Sequence, residues 1–322
     1  MGRLTSRVYG ALGRLARRLD LPAAVIKTVL KSENGVHDYY ISWAKPKRSG
    51  GYRILRNPQE PLRTIQTKIR KQILSRLKVS PIAHGCIKGK SIATNAECHW
   101  RSRSLLSIDL TDAFGSASFS GKLEWERYVH SPIPAEFGLR KDELEALSVL
   151  MEVRNARDRI CIPQGAITSP DIFNYCCRKL DERLAHLAEN VGGVVTRYVD
   201  NIFFSMPNPE IDKEIRNAIF RIIAENGFTE NRAKTRYIRN GNRNGVPLRL
   251  LGINIIDGDL YLPPKTIKRY RERLYQAGLE KDRKTYAGIK GVVIQIYGGW
   301  PSRLAGVYYK GLAKGGHISV EE

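Results

Sequence analysis

The sequence predicts an α+β fold divided into two or three packed subdomains. Three observations carry that prediction. The chain has 322 residues, which is long for one compact core. Its hydrophobic fraction of 42% is ample for a core and argues against global disorder. Strand-like and helix-like segments follow one another in mixed order, with no internal repeat and no low-complexity linker.

The elements read as follows. Residues 1–35 form a basic helical arm. Its first 32 residues hold seven Lys/Arg against one acid, Asp20. A targeting peptide is the alternative, but Asp20-Leu21-Pro22 reads as an N-cap followed by a helix over 23–31. A hairpin follows, with strands at 39–44 and 52–55 and Ser49-Gly50-Gly51 at its tip. Around that tip stand Lys45, Lys47, Arg48, Arg53 and Arg56, with no acid among them. Residues 62–77 form a helix. The apolar run ending at Ile108-Asp109 is a buried strand, and 141–153 is a helix. Ser169-Pro170-Asp171 opens another helix, with an N-cap, a proline at its first position and an early acid. Strands at 194–198 and 202–205 are joined at Val199-Asp200-Asn201. The last sixty residues are helical and basic.

Lys and Arg number 54 against 32 Asp and Glu, a net charge of +22. Such a surplus points to a polyanionic partner, phosphate backbone first. A solvated basic surface is the bland reading. An anionic membrane is a further alternative, but no apolar run is long enough to span one. The five cysteines include no C-x-x-C pair, which argues against a zinc knuckle, and their odd number suggests a reducing cytosol.

Two acids stand where acids are costly. Asp109 ends an apolar strand and Asp200 sits at the turn of an apolar hairpin. Carboxylates from separate elements are what hard divalent cations need, and two such ions suit phosphoryl transfer to a hydroxyl. Taken alone, each is as readily a turn or strand-end residue.

Their surroundings narrow the choice. Ser107-Ile108-Asp109-Leu110-Thr111-Asp112-Ala113-Phe114 resembles polymerase motif A of reverse transcriptases. Ile162-Pro163-Gln164-Gly165-Ala166-Ile167-Thr168-Ser169-Pro170 closely resembles their motif B. Tyr198-Val199-Asp200-Asn201 resembles motif C, usually Tyr-x-Asp-Asp. Asn231-Arg232-Ala233-Lys234-Thr235 looks like motif D, and Leu250-Leu251-Gly252 like motif E, the primer grip. The five stand in family order across residues 38 to 255.

The resemblance implies a right-hand polymerase fold: the basic arm (1–35), fingers (36–104), a palm (105–255) with a fingers segment at about 121–160, and a helical thumb (256–322). It also implies roles. Asp109 and Asp200 would hold two Mg²⁺ ions, or Mn²⁺, assisted by the backbone carbonyl of Leu110. Asn201 completes the catalytic turn. Phe114 would be a steric gate against a 2′-hydroxyl; its bland reading is a core phenylalanine. Gln164 and Gly165 would lie against the nascent pair and template. Lys234 would protonate or neutralise the departing pyrophosphate. Arg53, with Lys45, Lys47 and Arg48, would clamp the triphosphate of a dNTP, because a bidentate fork suits phosphate. Leu251 and Gly252 would grip the primer, and Lys268 and Arg269 the duplex phosphates.

Asn95-Ala96-Glu97-Cys98-His99 contains an Asn-Ala-x-x-His pattern typical of bacterial retron enzymes. Asn95 and His99, four residues apart, would share a helix face and contact nucleic acid or support the structure. The chain is expected to leave no room for a ribonuclease H domain beyond the thumb, as in compact stand-alone enzymes. The implied partners are a structured noncoding RNA, its DNA product and an anti-phage defence effector protein, in the bacterial cytoplasm. Two departures matter. Retrons usually show Val-Thr-Gly where this chain has Leu250-Leu251-Gly252, and Asn201 replaces the second Asp of motif C. Related defence reverse transcriptases that use their own RNA or prime on protein are therefore the alternative. A silenced polymerase kept as an RNA-binding scaffold is a rival, as is an RNA-dependent RNA polymerase, against which Phe114 speaks.

Overall fold

The computed structural model describes residues 6–47, 50–118, 138–155, 158–243 and 246–314. They form two compact units, each assembled from separate stretches of chain. The first takes the described residues of Met1–Pro81, Leu110–Glu182 and Ile223–Thr229, and the second those of Ile82–Asp109, Arg183–Ile222 and Glu230–Glu322. The mixture of helices and sheets is the α+β class expected. Among the described residues no helix is long and apolar enough to cross a membrane.

In the first unit the basic segment is a packed helix, Ser6–Leu19. Ala11, Leu12, Leu15, Ala16 and Leu19 fall on one side at helical spacing and are buried. They pack with the helices Ala23–Lys31, Leu62–Gln72 and Lys141–Met151. Strands β1 (Tyr40–Pro46) and β2 (Tyr52–Pro58) make the antiparallel hairpin, longer than its apolar core suggested. Gly50 and Gly51 both have positive φ at its tip. Strands β4 (Val153–Arg154) and β5 (Ile160–Cys161) form a second short pair.

Two expected caps are different in the structure. Asp20 does not cap the helix Ala23–Lys31; Pro22 holds that position, with no side-chain bond. Asp20 instead takes φ +51 and closes the preceding helix. Its N–H donates to Arg17 O and the N–H of Leu21 to Ala16 O, the paired bonds of a Schellman motif. The Asp20 carboxylate pairs with Lys68 at 2.8 Å. Nor does Ser169 cap its helix. It is the first residue of the helix Ser169–Cys176, and its hydroxyl donates to Pro163 O at 2.6 Å, tying the preceding loop.

The second unit is built on a four-stranded antiparallel sheet in the order β6-β7-β3-β8, from β6 (Val194–Tyr198), β7 (Asn201–Met206), β3 (Ser104–Asp109) and β8 (Arg236–Ile238). Leu105, Leu106, Ile108, Ile202, Phe203 and Phe204 are buried, so both central strands are apolar on each face. A three-stranded sheet follows, β9 (Leu248–Leu250), β10 (Ile253–Ile256) and β11 (Asp259–Tyr261). Its apolar residues share one core with the helices Pro264–Leu279, Arg283–Tyr297 and Ser302–Lys314. The first and last of these helices touch backbone to backbone. A Cβ on Gly278 would overlap Tyr308 O, and one on Gly311 would overlap Tyr275 O.

Candidate active site

Asp109 is the last residue of β3 and stands opposite Asn201 in the register with β7. Directly opposed antiparallel residues lie about 4.5–5.5 Å apart at Cα. Tyr198 of β6 pairs with Asn201 of β7, so only Val199 and Asp200 form the turn. The sheet therefore brings Asp109, Asp200 and Asn201 to one end.

So tight a hairpin turn needs a positive φ, and here a valine supplies it: Val199 has φ +56. That conformation is disfavoured for a β-branched residue and persists only when its surroundings impose it. The segment from Ile82 imposes it. Ile82 O accepts from Arg197 N–H and Arg197 O from His84 N–H, each at 2.7 Å. A Cβ on Gly85 would overlap the Val199 N and lie 2.6 Å from Val199 Cγ2, so only glycine fits beneath the turn. The Arg197 guanidinium, fully buried, donates to Val199 O at 3.0 Å.

Asp109 is held by motif D. Its backbone O accepts from Asn231 N–H at 2.7 Å. Its Oδ1 accepts from Asn231 Nδ2 at 3.3 Å and from Lys234 Nζ at 3.0 Å. Lys234 thus reaches the Asp109 carboxylate directly, which the motif order did not indicate. Asn201 Nδ2 donates to Asp200 Oδ1 at 3.2 Å, orienting that carboxylate with a bond an aspartate there could not donate. The donor set within the second unit is hard: two carboxylates and the Asn201 amide oxygen. It fits Mg²⁺ or Mn²⁺ with water or phosphate completing the shell.

Asn95 and His99 are fully buried. Asn95 Nδ2 donates to Thr196 Oγ1 at 3.0 Å. His99 bonds Ser205 Oγ through Nδ1 at 2.6 Å and Thr196 Oγ1 through Nε2 at 2.8 Å. Both side chains are buried and bond to β6 and β7, as the structural alternative expects, with the Asn95 Oδ1 left without a partner among the described residues. Burial, with the nearby His84, pushes the His99 pKa down to about 3, so the ring is neutral.

In the first unit, Phe114 lies in the short helix Ala113–Ser116 and is half-buried. It stacks on Phe173 with centroids 4.9 Å apart, and Phe173 meets Phe228 edge-on. Gln164 O accepts from Arg56 N–H at 2.8 Å, docking the motif B loop on β2. Gly165 has φ +106, and a Cβ there would meet Arg56 O at 2.9 Å. Lys45 and Arg53 face each other across the fingertip hairpin and, with Lys47, are exposed. Arg48 lies outside the described residues.

In the second unit, Leu251 (φ +51) and Gly252 (φ +84) form the two-residue turn between β9 and β10. Lys268 and Arg269 are exposed on the helix Pro264–Leu279. Sequence reasoning missed Gly85, Arg197 and the hydroxyls of Thr196 and Ser205. The one signal available was Arg197 itself, a cation inside an apolar strand, which needs an internal acceptor.

Residues 45–255 match the family described as reverse transcriptase (RNA-dependent DNA polymerase). Two curated relatives come from Myxococcus xanthus. Retron Mx65 reverse transcriptase is 35% identical over 266 residues, covering 80% of this chain and 61% of that protein. Retron Mx162 reverse transcriptase is 30% identical over 301 residues, covering 86% and 60%. The chain therefore spans about three-fifths of their length. Among solved structures, telomerase from Candida albicans in complex with a fragment of telomeric RNA aligns at TM-score 0.46 and 13% identity, covering 85% of this chain and 55% of that one.

Proposed function

Because the chain belongs to the reverse transcriptase family, we propose that it is an RNA-directed DNA polymerase that copies a structured noncoding RNA of the retron type. The observation that carries this reading is the sheet end where Asp109 stands opposite Asn201 and beside the Asp200 turn. Asp109 and Asp200, with Leu110 O, would hold two divalent ions, which when bound neutralise charge on the attacking and leaving oxygens. Lys234 pairs with Asp109 at 3.0 Å, and its cation would meet the charge of the departing pyrophosphate. Phe114, braced by Phe173, is assigned to exclude a 2′-hydroxyl. Gln164 and Gly165 are assigned to the nascent pair, and Arg53, Lys45 and Lys47 to the triphosphate. Leu251 and Gly252 serve the primer, and Lys268 and Arg269 the duplex. Residues 36–104 would be fingers, 105–255 palm and 256–322 thumb. The enzyme would act in the bacterial cytoplasm with a defence effector as partner.

The test is extension of a primer on an RNA template. Asp109→Ala and Asp200→Ala should each lower it by on the order of 10³-fold or more, since several kcal/mol of charge stabilisation is lost. RNA binding should stay within about twofold, because phosphate contacts dominate it. Substantial extension by either variant would overturn the assignment.

Asn201 motivates a second reading, a silenced scaffold that binds RNA without copying it. Asn201→Asp should keep activity and shift the metal preference from Mn²⁺ towards Mg²⁺, and Asn201→Ala should cost less than Asp200→Ala. If the natural protein is inert in both metals while Asn201→Asp extends, the scaffold reading replaces the enzymatic one.

A further inference from the structure

A cleft in the first unit, lined by no residue of the five polymerase motifs, is lined by four arginines. Its volume is about 380 Å³, and Arg14, Arg17, Arg18, Arg140 and Glu143 line it. That volume falls in the range of roughly 300–1,000 Å³ seen for small-molecule sites. Three of the arginines come from the helix Ser6–Leu19, and Arg140 precedes the helix Lys141–Met151.

The local acids do not cancel this charge. Arg14 pairs with Asp142 and Arg18 with Glu143. Glu143 is fully buried, and both its oxygens are used: Oε1 accepts from Arg18 Nε at 3.1 Å and Oε2 from Arg140 N–H at 2.8 Å. Arg17 and Arg140 are exposed and have no ion-pair partner among the described residues. The Nε–H of Arg14 is buried without an acceptor among the described residues. Four guanidinium groups thus line a concave space in which Glu143 is the one lining carboxylate, with Asp142 paired to Arg14 beside it and the Arg14 Nε–H left unsatisfied among the described residues. The bland account is that cations favour a helix C-terminus, which explains Arg17 and Arg18. It does not explain Arg140, which converges from another element, or the unsatisfied Arg14.

We propose that this cleft is a second phosphate site, which takes one nucleotide unit of an RNA strand through its phosphodiester. Guanidinium forks match phosphate oxygens in pairs. That the phosphate belongs to RNA rests on the polymerase reading above; that the cleft takes a phosphate does not.

The test uses the full chain with Arg17→Gln and Arg140→Gln combined. Neither residue is ion-paired among the described residues, so the fold should be kept, and an unchanged Tm checks this. The probes are a fluorescein-labelled single-stranded RNA, read by anisotropy in rising potassium chloride, and AMP, read by calorimetry. A control double variant, Lys71→Gln with Arg76→Gln, removes the same charge from exposed positions elsewhere in the first unit. Loss of the one phosphate contact should weaken RNA binding about tenfold and lower the log–log salt slope by about 0.7. The control should do neither. Saturable AMP binding that the Arg17/Arg140 variant abolishes, with RNA affinity unchanged, would uphold the phosphate site with a free nucleotide as its occupant. An equal fall in both double variants, or no change for either probe, overturns the proposal. The Arg17/Arg140 variant should extend a saturating primer–template normally. Extension absent from every protein would count against the polymerase reading alone.

Discussion

The two-residue turn at Asp200 and the β1–β2 hairpin both join antiparallel strands, yet they are held in opposite ways. The Asp200 turn is braced from behind by Gly85, by the buried Arg197 and by strands whose hydroxyls are bonded to His99. The fingertip relies on two glycines, and its apolar side chains stand in solvent on both faces. Ile41, Trp43, Tyr52 and Ile54 are between 46% and 68% exposed. The difference separates two tasks. On the proposed reading, a carboxylate that holds metal must be placed before its ligand arrives, and folding fixes it. On the same reading, cations that would close on a triphosphate can be ordered by that ligand, and exposed side chains suffice to carry them.

This contrast breaks most readily at Gly85. Gly85→Ala drives a Cβ into the Val199 backbone and should destabilise the protein by about 1–3 kcal/mol. Displacing the turn by about 1 Å should lower primer extension on the order of 100-fold. Thermal unfolding and extension assays read both, and near-natural values in each would show that the turn is not braced from below.

A smaller effect comes from pH. His99 has a folded pKa near 3 against an ordinary value near 6.5, so protonation favours the unfolded chain. Its contribution is fully present above pH 6.5 and is lost as pH falls towards 3. Between pH 7 and pH 5 that amounts to about 2 kcal/mol, from about 1.36 kcal/mol per pH unit below 6.5. Denaturant unfolding at the two pH values should show the loss, and His99→Gln should reduce it, leaving the share of His84, which burial also holds down to about 4. An identical pH dependence in the variant would place its origin elsewhere.

The smallest effect on folding belongs to the fingertip. Arg53→Ala should change stability by less than about 0.5 kcal/mol, since the side chain is exposed. It should nonetheless raise the KM for dNTP about tenfold, the worth of one charge-assisted fork. A large drop in Tm, or an unchanged KM, would erase the distinction between the two hairpins.

The legible parts of the molecule are those encoded locally. The helix at Ala23–Lys31 and the strand at Val194–Tyr198 fall where apolar spacing predicts them, and Asp109 and Asp200 stand at strand ends because acids interrupt apolar runs there. What braces them was not legible. The His99–Ser205 bond joins residues 106 apart, and nothing near Gly85 announces that Val199 will fold over it. Asp20 shows the same limit at short range. An acid between two helices can serve either, and here a left-handed backbone assigns it to the first.

The meeting of Gly278 with Gly311 changes what a common experiment measures. Alanine scanning finds important side chains by cutting them away, on the premise that alanine is always the lesser residue. At these two positions alanine is the larger one, and its methyl would land on a backbone carbonyl of the opposite helix. A scan across residues 264–314 would therefore register its sharpest local defects where no side chain exists to be removed, and those signals would report a wedge rather than a lost contact.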